Sequence, residues 1–138
     1  MFKVKILTIG KAKESWLKEA IAEYEKRLKP KMAIEWRLFE REEALEEECL
    51  KEPLLIALDL HGKEISSETL SEKLFGEWGS RFSLVIGGSE GISKKIVEKA
   101  AFRWCLSKLT FTHQMTRLIM LEQLYRATEI EKGSGYHK

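Results

Sequence analysis

Two short runs, "PLLIALDL" at Pro53–Leu60 and "RFSLVI" at Arg81–Ile86, are apolar at nearly every position and have no polar face. Runs of this length suit strands buried on both sides, as in a parallel sheet covered by helices above and below. The rest of the chain alternates to match. In "KVKILTI", Val4, Ile6 and Thr8 alternate with Lys3, Lys5 and Leu7, which predicts a strand ending at Gly10. Trp16, Leu17, Ala20, Ile21, Tyr24 and Leu28 then follow helical spacing from Glu14 to Leu28, and Pro30 stops the helix. In "MAIEWRLF", Met32, Ile34, Trp36 and Leu38 occupy every second position, a half-buried strand. The glutamate-rich segment after it favours a helix, with Ala44, Leu45, Cys49 and Leu50 as its few apolar residues.

Ser66 and Ser67 suit the start of a helix whose Leu70, Leu74 and Trp78 form one stripe ending near Gly79, and Ser93 can cap another running to about Ala101. The short apolar segment "WCLSKLTF" precedes a last helix from about His113 to Glu131, where Met115, Leu118, Ile119, Leu121 and Tyr125 make a broad apolar face. Five strands alternating with five helices predict an α/β sandwich with a largely parallel sheet. The 138 residues, 43% of them hydrophobic, make a single domain spanning 1–138.

The net charge of +2 does not by itself announce a polyanion partner, but the charge is unevenly placed. Glu40 to Glu52 holds seven glutamates against Arg41 and Lys51, while Ile92 to Lys138 holds nine Lys or Arg against four Glu. Lys94, Lys95, Lys99 and Arg103 make a basic face suited to phosphates without regard to sequence; solvated charge is the plainer alternative. Cys49 and Cys105 lie far apart, with no Cys or His at zinc-ligand spacing, so neither a disulfide framework nor a metal site is expected. The start "MFKVKILTIGKAKESW" lacks an apolar signal stretch and no run approaches a membrane span. The expectation is a cytoplasmic protein without a membrane partner.

"LVIGGSEGIS" places Gly87, Gly88 and Gly91 at the carboxyl end of a strand, where ligands of parallel sheets bind. The spacing fits neither a phosphate-cradling loop, which needs Lys and Ser or Thr after its last glycine, nor the G-x-G-x-x-G dinucleotide pattern. The glycines suit either a tight strand-to-helix turn or a close approach to a ligand. A second junction, "LSKLTFTHQMTR", interleaves Ser107, Lys108, Thr110, Thr112, His113 and Arg117 with apolar residues. Two such junctions in one small sheet suggest a shared cleft.

"LVIGGSEGIS", "LSKLTFTHQMTRLIMLEQLYRA" and the terminal "GYHK" resemble the ribosomal RNA large subunit methyltransferase H family, small members of the SPOUT class of S-adenosylmethionine-dependent methyltransferases. "AIAEYEKRL" and "ALDLHGKEISSETLSEKL" extend the resemblance over nearly the whole chain; the region from Glu40 to Glu52 departs from it, being shorter than in many members. The resemblance implies a SPOUT α/β-knot, a mostly parallel sheet flanked by helices with a C-terminal trefoil knot. Chain-connection rules alone would argue against that. It further implies methyl transfer from S-adenosyl-L-methionine to N3 of a pseudouridine in 23S ribosomal RNA of the assembled ribosome, by a homodimer packed through the knot region.

Carried over residue by residue, the cofactor pocket is expected at Leu58, Gly87, Leu106, Ser107, Lys108, Leu109, Thr110 and Phe111. Methyl transfer from a sulfonium needs no metal, and a base or anion-stabilising group at N3 would help it. Candidates for that work are His113 and Arg117 at the start of the last helix, and Tyr136 and His137 as a flap from the tail. Arg126 lies four residues after Glu122, an ordinary helix pair, and His61 is expected in a turn without a role. Trp16, Trp36, Trp78 and Trp104 suit a core or interface better than base stacking.

Overall fold

The computed structural model describes all residues from Met1 to Lys138. Strands β1 (Phe2–Ile9), β2 (Met32–Phe39), β3 (Leu55–Glu64), β4 (Arg81–Ile86) and β5 (Phe102–Cys105) alternate with helices α1 (Ser15–Leu28), α2 (Glu42–Cys49), α3 (Ser67–Glu72), α4 (Lys94–Lys99) and α5 (His113–Lys132). All strand pairs are parallel and the sheet order is β2-β1-β4-β3-β5. Central β1 and β4, and the first three residues of β3, are buried on both faces, and β2 and β5 are the edges.

Period-two alternation divides each strand between two cores. Val4, Ile6, Ile56, Leu84 and Ile86 face the larger cluster, which gathers Leu17, Ile21 and Leu28 of α1, Leu70 of α3 and Met120, Leu121, Leu124 and Ala127 of α5. Leu7, Ala57 and Val85 face the smaller one, closed by Leu45 and Cys49 of α2 and Ile96 of α4. The acidic segment therefore does form a helix, held by two buried residues and leaving its glutamates toward water. Ser66, Ser93 and Thr112 cap α3, α4 and α5, their side-chain oxygens accepting hydrogen bonds from the amides of Thr69, Ile96 and Met115.

Three local features differ from the sequence-based expectation. The fifth strand, expected in "WCLSKLTF", spans Phe102–Cys105, so residues 106–111 are loop. The expected strand end at His61–Gly62 is a bulge instead: β3 continues to Glu64, and its register with β5 shifts between Leu58 and Lys63. Gly62 is required there, because a Cβ would stand 2.5 Å from the Arg103 carbonyl oxygen. After Glu72 the α3 helix widens into a π-helical segment, Lys73–Trp78, which buries Leu74 and Trp78 before Gly79 turns the chain at φ +77°.

Candidate active site

β5 lies at one edge of the sheet, yet the helix that follows it docks beside β1. The Gln114 side chain donates to the Lys11 carbonyl at 3.1 Å and accepts from the Lys13 amide at 3.2 Å. One nitrogen of Arg117 donates to the carbonyls of Ile9 at 2.7 Å and Gly10 at 2.8 Å. Since β3 and β4 stand between β5 and β1, residues 106–112 must cross the carboxyl ends of both strands. That is three strand spacings, about 14 Å; seven residues reach up to roughly 25 Å. The glycine loop leaves β4 at this same end of the sheet, so the two junctions distant in sequence share one edge.

The glycines of that loop are explained first by the loop itself. Gly88 and Gly91 form an isolated antiparallel bridge, and the Gly91 amide donates to the Gly88 carbonyl at 3.0 Å. A Cβ on Gly87 would meet the Gly91 carbonyl at 2.5 Å, and Gly91 itself sits at φ +79°. The close approach that excludes a side chain at Gly87 is therefore internal to the turn. A Cβ on Gly88 would meet Oε1 of Glu42 at 2.9 Å, which brings the start of α2 to the same edge.

Residues 106–111 have unengaged polar backbone. The Leu109 amide donates to Oγ of Ser107 at 3.0 Å and the Cys105 thiol donates to the Ser107 carbonyl at 3.1 Å; no backbone-to-backbone hydrogen bond involves any residue of this stretch. Leu106 and Leu58 are half-buried against the larger core. Phe111 is half-buried, and Leu109 is 70% exposed, unusual for a leucine. Lys108 extends into solvent within 4.0 Å of Glu64. Leu58 lies inside β3, opposite Trp104 and just before the bulge, rather than at a strand end. Free amides and carbonyls beside apolar side chains can offer edge hydrogen bonds and apolar walls to a flat heterocycle. The cavities of about 420 Å³ and 290 Å³ elsewhere on the molecule do not include these loops. No group of three or more His, Cys, Asp or Glu residues is placed to hold a metal ion.

The four candidate catalytic side chains do not meet within one chain. His113 opens α5, half-buried at this edge of the sheet. Burial, then the charges of Arg117 and Lys13, push its imidazole below its ordinary pKa, with Glu42 opposing. Arg117 is 2% exposed, with its Nε buried and unpartnered, so it supports the β1 carboxyl end from beneath the surface. The tail folds back along α5 instead of over the glycine loop. Gly133, at φ +73°, ends the helix in a left-handed cap. The Tyr136 hydroxyl then donates to Glu122 at 2.8 Å, and its ring packs edge-on to Tyr125 with centroids 4.9 Å apart. His137 lies between Arg126 at 3.2 Å and Glu68 at 3.1 Å. Glu122 and Arg126 are nine and thirteen residues beyond His113, on the order of 14 to 20 Å along the helix. Arg126 does pair with Glu122, at 2.8 Å, and thereby also anchors the tail.

Gln114 escaped the sequence reading although it fixes the start of α5. Nothing distinguishes a clamping glutamine from a solvated one until β1 is known to lie beside it. Lys94, Lys95 and Lys99 are exposed on α4 and form no ion pair, while Arg103 pairs with Asp59 at 3.1 Å.

Comparison with known proteins agrees with the fold. A family model described as "Predicted SPOUT methyltransferase" matches residues 2–137. The ribosomal RNA large subunit methyltransferase H of Protochlamydia amoebophila (strain UWE25) is 47% identical over 141 residues, covering 100% of both chains. The protein of the same name from Acetivibrio thermocellus is 41% identical over 158 residues, with 99% of each covered. Among solved structures, TrmJ from Z. mobilis ZM4 superposes with a TM-score of 0.58 at 7% identity, over 91% of this chain and 69% of that one. The A. aeolicus TrmH/SpoU tRNA modifying enzyme gives 0.52 at 14% identity, over 94% and 77%. A parallel sheet carrying a glycine turn and a crossing loop on one edge, matched along its length by these sequences, places the chain in the SPOUT methyltransferase family, among the ribosomal RNA large subunit methyltransferase H proteins.

Proposed function

We propose that the protein transfers a methyl group from S-adenosyl-L-methionine to N3 of a pseudouridine in 23S ribosomal RNA, acting in the cytoplasm on the assembled large subunit. The observation that carries this reading is the loop 106–111, whose unengaged backbone and apolar side chains cross the sheet edge beside Gly87. Leu58, Leu109 and Phe111 would wall the donor, and backbone groups of Leu106, Ser107, Lys108 and Thr110 would bond its adenine. The crossing path of 106–112 also supports the trefoil knot expected from the sequence, with this segment threaded through the loop that follows β4.

When bound, the donor would supply an electrophilic methyl on a sulfonium, and an N3 that accepts it must give up its proton. His113, kept neutral near pH 7 by its surroundings, can take that proton. Arg117 and Gln114 hold β1 and α5 in fixed relation and so position His113. Tyr136 and His137, docked far along α5, would serve the crevice of a second copy in a homodimer rather than their own.

Calorimetric titration with S-adenosylmethionine, followed by mass mapping of nucleotides after incubation with large subunits, tests the proposal. Donor binding and a single added methyl on a pseudouridine are expected. Absence of a donor site would leave a ribosome-binding protein without methyl transfer.

A further inference from the structure

The face of the sheet covered by α2 and α4 is only half covered. Register puts Ala33, Lys3 and Arg81 side by side in one row and Glu35, Lys5 and Ser83 in the next. Leu45 and Cys49 of α2 pack further along, over Leu7 and Val85; in the second row Leu55 joins that core and Ser83 is buried, while Ala33, Lys3, Arg81 and Glu35 stay open to solvent. Together with Lys5, Glu52 and Ser83 they line a cavity of about 420 Å³ at the end of the sheet opposite the methyl-transfer crevice.

Its charges are unequally matched. Glu52, 5% exposed, accepts from Lys5 at 3.1 Å and from the Ser83 hydroxyl at 2.5 Å, so both its oxygens are engaged. Glu35 lies 3.9 Å from Arg37. Lys3 and Arg81 have no carboxylate partner, and neither does Lys31, which adjoins them because the Phe2 amide donates to the Lys31 carbonyl. Two exposed, unpaired cations, Lys3 and Arg81, thus line an open cavity at the starts of β1 and β4, and a third, Lys31, stands beside them just before β2. Its buried hydroxyl is already committed to Glu52, which leaves charge without a pattern of directed donors for reading bases. That chemistry suits backbone phosphates.

We infer that this amino-terminal end of the sheet is a second RNA-docking surface, holding phosphates of the ribosomal RNA outside the crevice through Lys3, Lys31 and Arg81. The inference rests on the proposed function and deepens it: contacts on opposite ends of a small sheet let a single domain register a large folded RNA. The test compares the wild-type protein with a Lys3→Gln/Arg81→Gln variant, measuring affinity for large ribosomal subunits over a salt series. The variant should bind about tenfold or more weakly, and its slope of log K against log salt should flatten by about 1.5 to 2. Its affinity for S-adenosylmethionine and its melting temperature should not change, and Lys3→Arg/Arg81→Lys should restore the slope. The same loss on deproteinised 23S RNA assigns the contact to RNA; a loss confined to intact subunits overturns it in favour of a ribosomal protein. Equal affinity and slope for wild type and variant overturn this inference alone, whereas a wild-type protein that binds no subunits overturns the functional proposal first.

Discussion

Arg117 is a cation whose partners are two backbone carbonyls and no carboxylate. Such a group stabilises only while its hydrogen bonds persist, because its desolvation is otherwise uncompensated. Replacing it with alanine should cost about 3 kcal/mol and lower the melting temperature by about 10 °C, measured by thermal unfolding. Lysine should recover less than half, since its single ammonium cannot reproduce the guanidinium fork. His113 makes a pH prediction. With its folded pKa depressed, the unfolded chain takes up the proton first, so this contribution to stability is complete above the unfolded value of about 6.5. It falls as pH drops from there to the folded pKa and then levels off. NMR titration of the imidazole should show a midpoint below 6.5, and the His113→Gln variant should lose that part of the stability slope and the acid limb of methyl transfer. A midpoint at or above the ordinary value would contradict the burial of this imidazole, and an unchanged rate and pH profile in His113→Gln would remove His113 as the base.

At the scale of elements, the C-terminal tail is held to α5 and α3 by Tyr136, His137, Arg126, Glu122 and Glu68. Glu122 is shared by Arg126 and Tyr136. Glu122→Gln should therefore loosen the tail with little change in global stability, seen as faster proteolysis after Lys132 and an unchanged melting temperature. Order and type of the elements were legible because β1, β2 and the longer helices carry their own periodicity, β3 and β4 are continuous apolar runs, and three helices carry a cap; the fifth strand, expected in "WCLSKLTF", instead spans Phe102–Cys105. What escaped depends on partners from elsewhere in the chain. The continuation of β3 past Gly62 is set by β5, whose Arg103 carbonyl excludes any side chain there. Likewise, "IGGSEG" and "LSKLTF" announced junctions, but only the strand order puts them on one edge. The tail's direction depends on Glu68 and Glu122, neither marked by sequence spacing, so the flap over the same chain's crevice was legible only as a possibility and is not what the fold displays.

Across the whole molecule, the two cysteines sit in layers of unequal security. Cys49 belongs to the smaller core under α2, where burial, then the charges of Glu52, Glu48 and Glu46, push its thiol up to about 12. Cys105 ends β5, a four-residue edge strand, and its thiol donates to Ser107 at the start of the crossing loop. Both are buried, so a thiol reagent can reach either only through opening. An edge strand followed by a loop without backbone-to-backbone hydrogen bonds opens at lower free energy than a helix packed on central strands. Cys105 should accordingly react first under native conditions, with Cys49 following only at the rate of global unfolding and in step with loss of the helical signal. If loop 106–111 closes on S-adenosylmethionine, saturating donor should slow Cys105 labelling at least tenfold while the ratio of Cys49 labelling to unfolding stays fixed. Equal protection of both thiols would mean that the donor stabilises the domain as a whole and that the crossing loop has no separate closing motion.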